Sequence, residues 1–213
     1  MDGIIFDVDG TLWDSTESVA MGWNKAMSRR DDVHAVITAD ILKQHFGKPM
    51  DEIYNALFPG FSKEEQIALG NLCLEEGDKF LEEYPGRIFD GVAETFRKLA
   101  ETTDVFICSN CHCGYIELFL QTSGLTDTVK DHLCFGETGT SKGQTLLTLM
   151  KRNNLKDVVY VGDTIGDQRA CKEAGIPFIY ASYGFGTVEN PDGQIGKISD
   201  LLTFDMQKII CTQ

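Results

Sequence analysis

No stretch of this chain approaches the roughly 20 consecutive apolar residues that a membrane-crossing helix needs, so a membrane is not an expected partner. The opening Met1-Asp2-Gly3-Ile4-Ile5-Phe6-Asp7 has neither the basic start nor the apolar stretch of a secretory signal, and a cytoplasmic location is expected. Positive charge is scarce: 19 Lys and Arg stand against 33 Asp and Glu, for a formal net charge of -14. A surface that negative repels phosphate backbones and anionic lipid, so nucleic acid is not expected as a partner either. A small anionic substrate stays open if a few cations gather locally. Cysteines are seven in number, odd and scattered, and without an export signal they read as reduced thiols. Internal repeats and low-complexity tracts are also missing.

What is present is ordinary for a globular chain: 42% hydrophobic and 24% charged residues. At 213 residues the protein suits one domain, or a compact domain with a modest insertion, and needs no disulfide or metal to hold its core. Short apolar runs at Gly3–Val8, Asp104–Cys108, Asp157–Val161 and Ile176–Tyr180 have the composition of strands buried on both faces. Between the later ones lie helical patterns at Val92–Glu101, Tyr115–Thr122, Lys142–Asn153 and Asp167–Ala174, with Gly175 placed as a helix C-terminal glycine. This alternation predicts an α/β fold, a Rossmann-like parallel sheet with helices on both faces. One segment departs from it. Helical patterns at Glu17–Arg30, Ala39–Phe46, Met50–Leu57 and Lys63–Glu83, with turns at Phe58-Pro59-Gly60 and Tyr84-Pro85-Gly86, contain no convincing strand. The expected organisation is a core of residues 1–14 and 85–213 with an inserted all-helical domain at 15–84. Beyond Asn190-Pro191-Asp192-Gly193 the pattern weakens to one short helix near Ile198–Leu202.

Ligands of a doubly wound sheet bind at the carboxyl ends of its strands. The first strand runs into Asp7-Val8-Asp9-Gly10-Thr11, the second into Ser109-Asn110, and the one at 157–161 into Gly162-Asp163-Thr164-Ile165-Gly166-Asp167. Four carboxylates would thus converge from two distant segments. Two unit charges about 4 Å apart repel by roughly 4 kcal/mol at an effective dielectric of 20, so a cation is required. Oxygen donors without His or Cys indicate a hard ion, Mg²⁺ foremost.

These residues resemble the haloacid dehalogenase superfamily along essentially the whole chain. Its Asp-x-Asp-Gly-Thr motif stands as Asp7-Val8-Asp9-Gly10-Thr11, its strand-closing Ser or Thr as Ser109, its Lys as Lys142 and its Gly-Asp-x-x-x-Asp as Gly162 to Asp167. The helical insertion is similar to the cap of the phosphoglycolate phosphatase and β-phosphoglucomutase branch. The resemblance implies Asp7 as a nucleophile that forms an aspartyl-phosphate, and Asp9 as the acid and base that protonates the leaving oxygen and then activates water. It implies Mg²⁺ on Asp7, the backbone carbonyl of Asp9 and Asp163, with Asp167 binding directly or through water. It further implies phosphate contacts from Ser109 and from backbone N–H groups at Asp9 and Asn110, and transition-state charge stabilisation by Lys142. Lys48, in Phe46-Gly47-Lys48-Pro49, sits in a loop that relatives use for substrate contact.

Each residue also has a plainer use. A lone Asp after a strand caps the next helix, a lone Ser makes a turn, and Lys48 can be a solvated lysine. Lys142 opens a helix, where a cation opposes the dipole, and that misfit favours a chemical role. Trp13 is expected to pack rather than to meet substrate. Gly136 to Lys142 superficially suggests a nucleotide phosphate loop, but Ser141 stands where a glycine is required. Cys108, Cys111 and Cys113 lack a second pair for a zinc site and read as free thiols. The loop Tyr183-Gly184-Phe185-Gly186 is expected near the site without an assigned role. The function implied is a Mg²⁺-dependent phosphatase of a small phosphorylated metabolite, monomeric or a small homo-oligomer, with a phosphosugar mutase as the alternative. A signalling receiver domain shares acidic residues, a Ser or Thr and a Lys, but is near half this length and lacks the insertion.

Overall fold

The computed structural model describes residues 1–210. In chain order the strands are β1 Gly3–Phe6, β2 Trp13–Asp14, β3 Arg87–Ile88, β4 Asp104–Ser109, β5 Asp131–Cys134, β6 Val158–Gly162, β7 Phe178–Ala181 and β8 Gly193–Ile195. The helices are α1 Thr16–Met27, α2 Ala39–Lys43, α3 Met50–Leu57, α4 Lys63–Glu83, α5 Val92–Ala100, α6 Tyr115–Ser123, α7 Phe135–Thr138, α8 Lys142–Arg152, α9 Ile165–Ala174 and α10 Met206–Ile210, with a 3-10 turn at Ile198–Leu202. The chain divides into two compact units, Met1–Trp13 with Ile88–Gln213 and Asp14–Arg87. No described helix is long and apolar enough to cross a membrane.

The first unit is built on a six-stranded parallel sheet of order β5-β4-β1-β6-β7-β8. Its strands are apolar on both faces because both are covered, as the runs in the sequence require. Ile5, Phe106, Cys108, Val158, Tyr160 and Phe178 pack on one side with Leu146 and Leu149 of α8 and Ala170 and Cys171 of α9. On the other side Phe6 meets Phe96 of α5, ring centroids 4.6 Å apart. Two strands lie outside the expected four. β5, Asp-His-Leu-Cys, is a sheet edge and carries no apolar run. β8, Gly-Gln-Ile, is the other edge and occupies the tail that looks weakly patterned. Edge strands need only one covered flank, which removes the signal by which central strands are read. The turn at Ile198–Leu202 is 3-10 rather than α-helical.

In this order β1 lies between β4 and β6, so the chain departs from β1 to one side and later returns to build the other. The carboxyl end of β1 is therefore a topological switch point, flanked by the ends of β4 and β6.

Apart from its end residues Asp14 and Arg87, which belong to the paired strands β2 and β3, the second unit has only helices as regular elements. α4 begins with a capping box, the Ser62 hydroxyl accepting from the Glu65 N–H while Glu65 Oε2 accepts from the Ser62 N–H. α1 and α4 pack at backbone distance. Glu76, only 2% exposed, collects Arg29 at 2.9 Å, Lys25 at 3.2 Å and Lys79 at 3.2 Å. The Lys79 hydrogen bond, against the opposing effect of burial, brings its carboxyl down to about 2. Close approach is possible because Gly22 faces Gly77: a Cβ on Gly22 would lie 2.6 Å from the Glu76 carbonyl oxygen and 2.7 Å from Gly77 Cα. Gly22→Ala should therefore destabilise the protein by about 1–3 kcal/mol, although alanine is favoured over glycine in helices by about 1 kcal/mol. Thermal and urea unfolding of the variant will check this; an unchanged or raised midpoint would contradict the packing argument.

Candidate active site

Asp7 follows the end of β1, and its N–H donates to the Val161 carbonyl at 2.9 Å, which keeps it in line with β6. Beyond it the chain turns sharply: the N–H groups of Thr11, Leu12 and Trp13 all donate to the Val8 carbonyl. Gly10 sits at φ +78° in that turn, and a Cβ there would fall 2.2 Å from Asp163 Oδ2. A glycine is needed both for the conformation and for the approach of the Asp163 carboxylate.

At the end of β6, Gly162 leads into Asp163. A Thr164-x-x-Asp167 capping box opens α9: the Thr164 hydroxyl accepts from the Asp167 N–H at 3.2 Å, and Asp167 Oδ2 accepts from the Thr164 N–H at 2.9 Å. Lys142 is the first residue of α8, whose N-cap Ser141 accepts from the Gln144 N–H. The residue is 5% exposed, and its side chain reaches back to the sheet.

Asp7, Asp163 and Asp167 are buried, and each offers an oxygen within 4.8 Å of the others. Lys142 Nζ donates to Asp7 Oδ1 at 2.9 Å and to Asp167 Oδ1 at 2.6 Å. The Tyr160 hydroxyl donates to the Cys108 carbonyl at 2.9 Å and approaches Asp167 Oδ1 at 3.3 Å. Asp163 accepts from the Thr11 hydroxyl at 3.2 Å and from the Phe185 N–H at 2.7 Å. Asp7 Oδ2, buried as well, has no hydrogen-bond partner among the described residues.

One ammonium cannot neutralise three carboxylates, and the proton affinities show the strain. Burial raises the Asp7 carboxyl to about 6, with Lys142 pulling the other way. Asp163 is pushed well above the usual carboxylate range by burial, then by Asp167 and Asp7. Burial also works against the Lys142 charge, but Asp167 and Asp7 outweigh it and hold the lysine above its ordinary value. Surplus negative charge, exclusively oxygen donors and an orphaned Asp7 oxygen together fit a hard divalent cation. Asp167 differs from the other two. Both of its oxygens already accept, Oδ1 from Lys142 and Oδ2 from the Thr164 N–H and hydroxyl.

The remaining candidates are distributed around this cluster. Asp9, 9% exposed, accepts at Oδ1 from the Tyr115 hydroxyl at 2.6 Å. Ser109 closes β4 and is buried, and Asn110 follows it in the loop to α6. Lys48 belongs to the helical unit, exposed in the turn between α2 and α3, with Nζ 3.2 Å from His45 Nδ1. Trp13 is fully buried against Tyr115 and Phe119, ring centroids 5.4 and 5.3 Å away, as packing predicts.

The loop after β7 acquires a role that its sequence did not reveal. Phe185 holds Asp163 through its N–H, the Tyr183 hydroxyl donates to the Thr11 carbonyl at 2.9 Å, and a Cβ on Gly184 would lie 2.3 Å from Asp163 Cβ. Tyr115 and Tyr160 were likewise missed, since both act across long sequence separations. The Thr164 cap could have been found from its Thr-x-x-Asp spacing. Among the thiols, Cys108 is buried within β4 and Cys113 is exposed, while Cys111 hydrogen-bonds Cys134 of β5. That bond brings the Cys134 thiol below its usual value, whereas burial pushes Cys111 well above it.

The raised Asp7 value has a thermodynamic consequence. Between about pH 4 and 6 the folded protein holds a proton at Asp7 that the unfolded chain has released, so this group costs stability as pH rises through that window. With a chelator present, Asp7→Asn should raise the unfolding free energy at pH 7 by about 1–3 kcal/mol, the gain shrinking towards pH 4.5. Calorimetry of both proteins across this range will decide; a variant less stable than wild type at pH 7 would contradict the charge assignment.

A search of curated proteins finds no match. Solved structures resemble the chain along nearly its full length. A haloacid dehalogenase-like family protein of Streptococcus pneumoniae has a TM-score of 0.82 at 16% identity, covering 95% of this chain and 97% of its own. A protein described as a predicted phosphoglycolate phosphatase, from Haemophilus somnus, has 0.79 at 20%, with 95% and 97% covered. A β-phosphoglucomutase of Clostridium difficile has 0.77 at 16%, with 100% and 98% covered. At these identities the likeness is one of fold. The sequence itself goes further, because the haloacid dehalogenase-like hydrolase model matches residues 4–181, and the chain belongs to that family.

Proposed function

We propose that the protein is a Mg²⁺-dependent phosphatase that hydrolyses a small phosphorylated metabolite through an aspartyl-phosphate on Asp7. The observation that carries this reading is the Asp7 carboxylate: buried, tied to Lys142 by one oxygen and, among the described residues, without a partner at the other. With its proton affinity at about 6, it is mostly ionised at neutral pH yet stripped of water, a condition that favours nucleophilic attack. An incoming phosphate ester would be held by Ser109, Asn110 and the backbone N–H groups at Asp9 and Asn110. Asp7 attacks phosphorus while Asp9 gives a proton to the leaving oxygen; Asp9 then takes a proton from the water that releases phosphate. Lys142 keeps Asp7 oriented and offsets charge as it accumulates.

Asp7, Asp163 and the Asp9 carbonyl would hold the divalent ion, with Asp167 binding directly or through water, and the ion would supply the positive charge that lets carboxylate and phosphate approach. The saturated hydrogen bonding of Asp167 supports a further part for it, fixing the Lys142 ammonium. The helical unit, Lys48 included, is the segment to which we assign substrate selection.

Hydrolysis of p-nitrophenyl phosphate with Mg²⁺ tests this directly. Chelation should abolish it and added Mg²⁺ restore it, while Asp7→Asn should lower turnover more than about a thousandfold and Lys142→Ala about a hundredfold or more. Near-wild-type activity of Asp7→Asn would refute the nucleophile. Turnover of a phosphosugar only when a bisphosphate activator is supplied would favour a mutase of the β-phosphoglucomutase type.

A further inference from the structure

We infer that Cys113 and Cys134 form an oxidation site, at which hydrogen peroxide joins the two thiols in a reversible disulfide that alters the loop carrying Ser109 and Asn110. The disulfide stands apart from the phosphatase reading; only its effect on activity rests on it.

Backbone contacts bring these thiols together. Ser109, the last residue of β4, pairs in parallel register with Cys134, the last residue of β5. The Cys134 N–H donates to Glu137 Oε2 at 2.9 Å, which fixes the entry to α7. The Gly136 N–H donates to the Cys111 carbonyl at 3.0 Å, and a Cβ on Gly136 would lie 2.5 Å from the Cys113 nitrogen. The loop after β4 is thus laid directly on the first turn of α7. In that arrangement the Cys111 and Cys113 thiols both donate to the Cys134 sulfur. All three are free thiols, and they differ in access: Cys113 is exposed, whereas Cys111 and Cys134 are buried.

The two partners bring different properties. Cys113 gives an oxidant a sulfur it can reach. Cys134 gives thiolate character, because the thiol of Cys111 donates to it and holds its proton affinity below the usual value. In the first step the Cys113 sulfur attacks peroxide: an S–O bond forms, the O–O bond breaks, and the departing hydroxide leaves as water with the thiol proton. In the second step the Cys134 sulfur attacks the Cys113 sulfur, the S–O bond breaks, and the hydroxyl leaves as a second water with the Cys134 proton. Two thiols give up two electrons and one peroxide accepts them.

The disulfide shortens the sulfur separation to about 2.05 Å, well inside a hydrogen-bond distance, so the loop must shift towards β5. Cys111 passes that shift on, since it donates to Cys134 and accepts from the Ser109 hydroxyl. Cys113 also lies two residues before Tyr115, whose hydroxyl donates to Asp9 at 2.6 Å. Displacing these groups should lower phosphatase turnover about tenfold, and reduction should restore it.

Peptide mass mapping after peroxide treatment and alkylation of the remaining thiols tests the site without reference to turnover. A Cys113–Cys134 disulfide is expected, with Cys111 recovered as an alkylated thiol. Hydrolysis of p-nitrophenyl phosphate should fall about tenfold and return with dithiothreitol. Cys113→Ser should keep its basal activity and resist peroxide, while Cys134→Ser should leave Cys113 as a sulfenic acid that dimedone traps. Both thiols left intact, a disulfide that omits either of them, or a Cys113→Ser enzyme as sensitive to peroxide as wild type would overturn the proposal. The mapped disulfide with undiminished turnover would overturn its effect on the loop. If the wild-type protein hydrolyses no phosphate ester, the phosphatase reading fails, and the peptide map still decides the oxidation site.

Discussion

The Lys142 ammonium, sealed between the carboxylates of Asp7 and Asp167, is the contact on which the rest of the site depends. Buried ion pairs seldom stabilise a fold, because desolvation consumes what the attraction returns. Here the balance is worse than in an ordinary pair, since a third buried carboxylate, Asp163, crowds the same cluster. A protein gains nothing in stability from such an arrangement. It gains a desolvated carboxylate whose proton affinity stays near 6, and a concentration of negative potential where a divalent ion can bind. The cluster is thus intelligible as chemistry and poorly intelligible as architecture.

The sheet makes the cluster possible. Asp7 and Asp163 are 156 residues apart in sequence, yet the ends of β1 and β6 are adjacent because the strand order reverses around β1. Local devices then set each side chain. A capping box turns Asp167 so that one oxygen faces Lys142, and the loop after β7 delivers the Phe185 N–H to Asp163. Gly10 and Gly184 let two backbone segments lie against the same carboxylate, where any Cβ would collide with it. Removing either glycine would displace Asp163 before it displaced the fold.

Much of this could be read from the chain. The central strands announced themselves because both faces are covered, and the acidic residues that follow them stood out at strand ends. Asp7, Asp163 and Asp167 are brought together as their places at the strand ends suggested, and Lys142, which only the family resemblance pointed to, lies between Asp7 and Asp167. The edge strands β5 and β8 were hidden by their mixed composition, since an edge is under less pressure to be apolar. Tyr115, Tyr160 and the Phe185 N–H were hidden for another reason. Their contributions depend on where a hydroxyl or backbone amide arrives after packing, and nothing within a few residues of each records its distant partner. Cys134 is similar: only the pairing of β4 with β5 puts it beside the loop that carries Cys111.

If the strained cluster exists to make Asp7 a nucleophile, that carboxylate must carry the phosphoryl group during turnover. Acyl phosphates are reduced by borohydride, which converts a phosphorylated aspartate to homoserine. Treating the enzyme with borohydride while it turns over a phosphate ester, followed by peptide mass analysis, should place homoserine at position 7 and nowhere else. An enzyme that turns over substrate with Asp7 unmodified, or with homoserine at 163 or 167, would contradict the account.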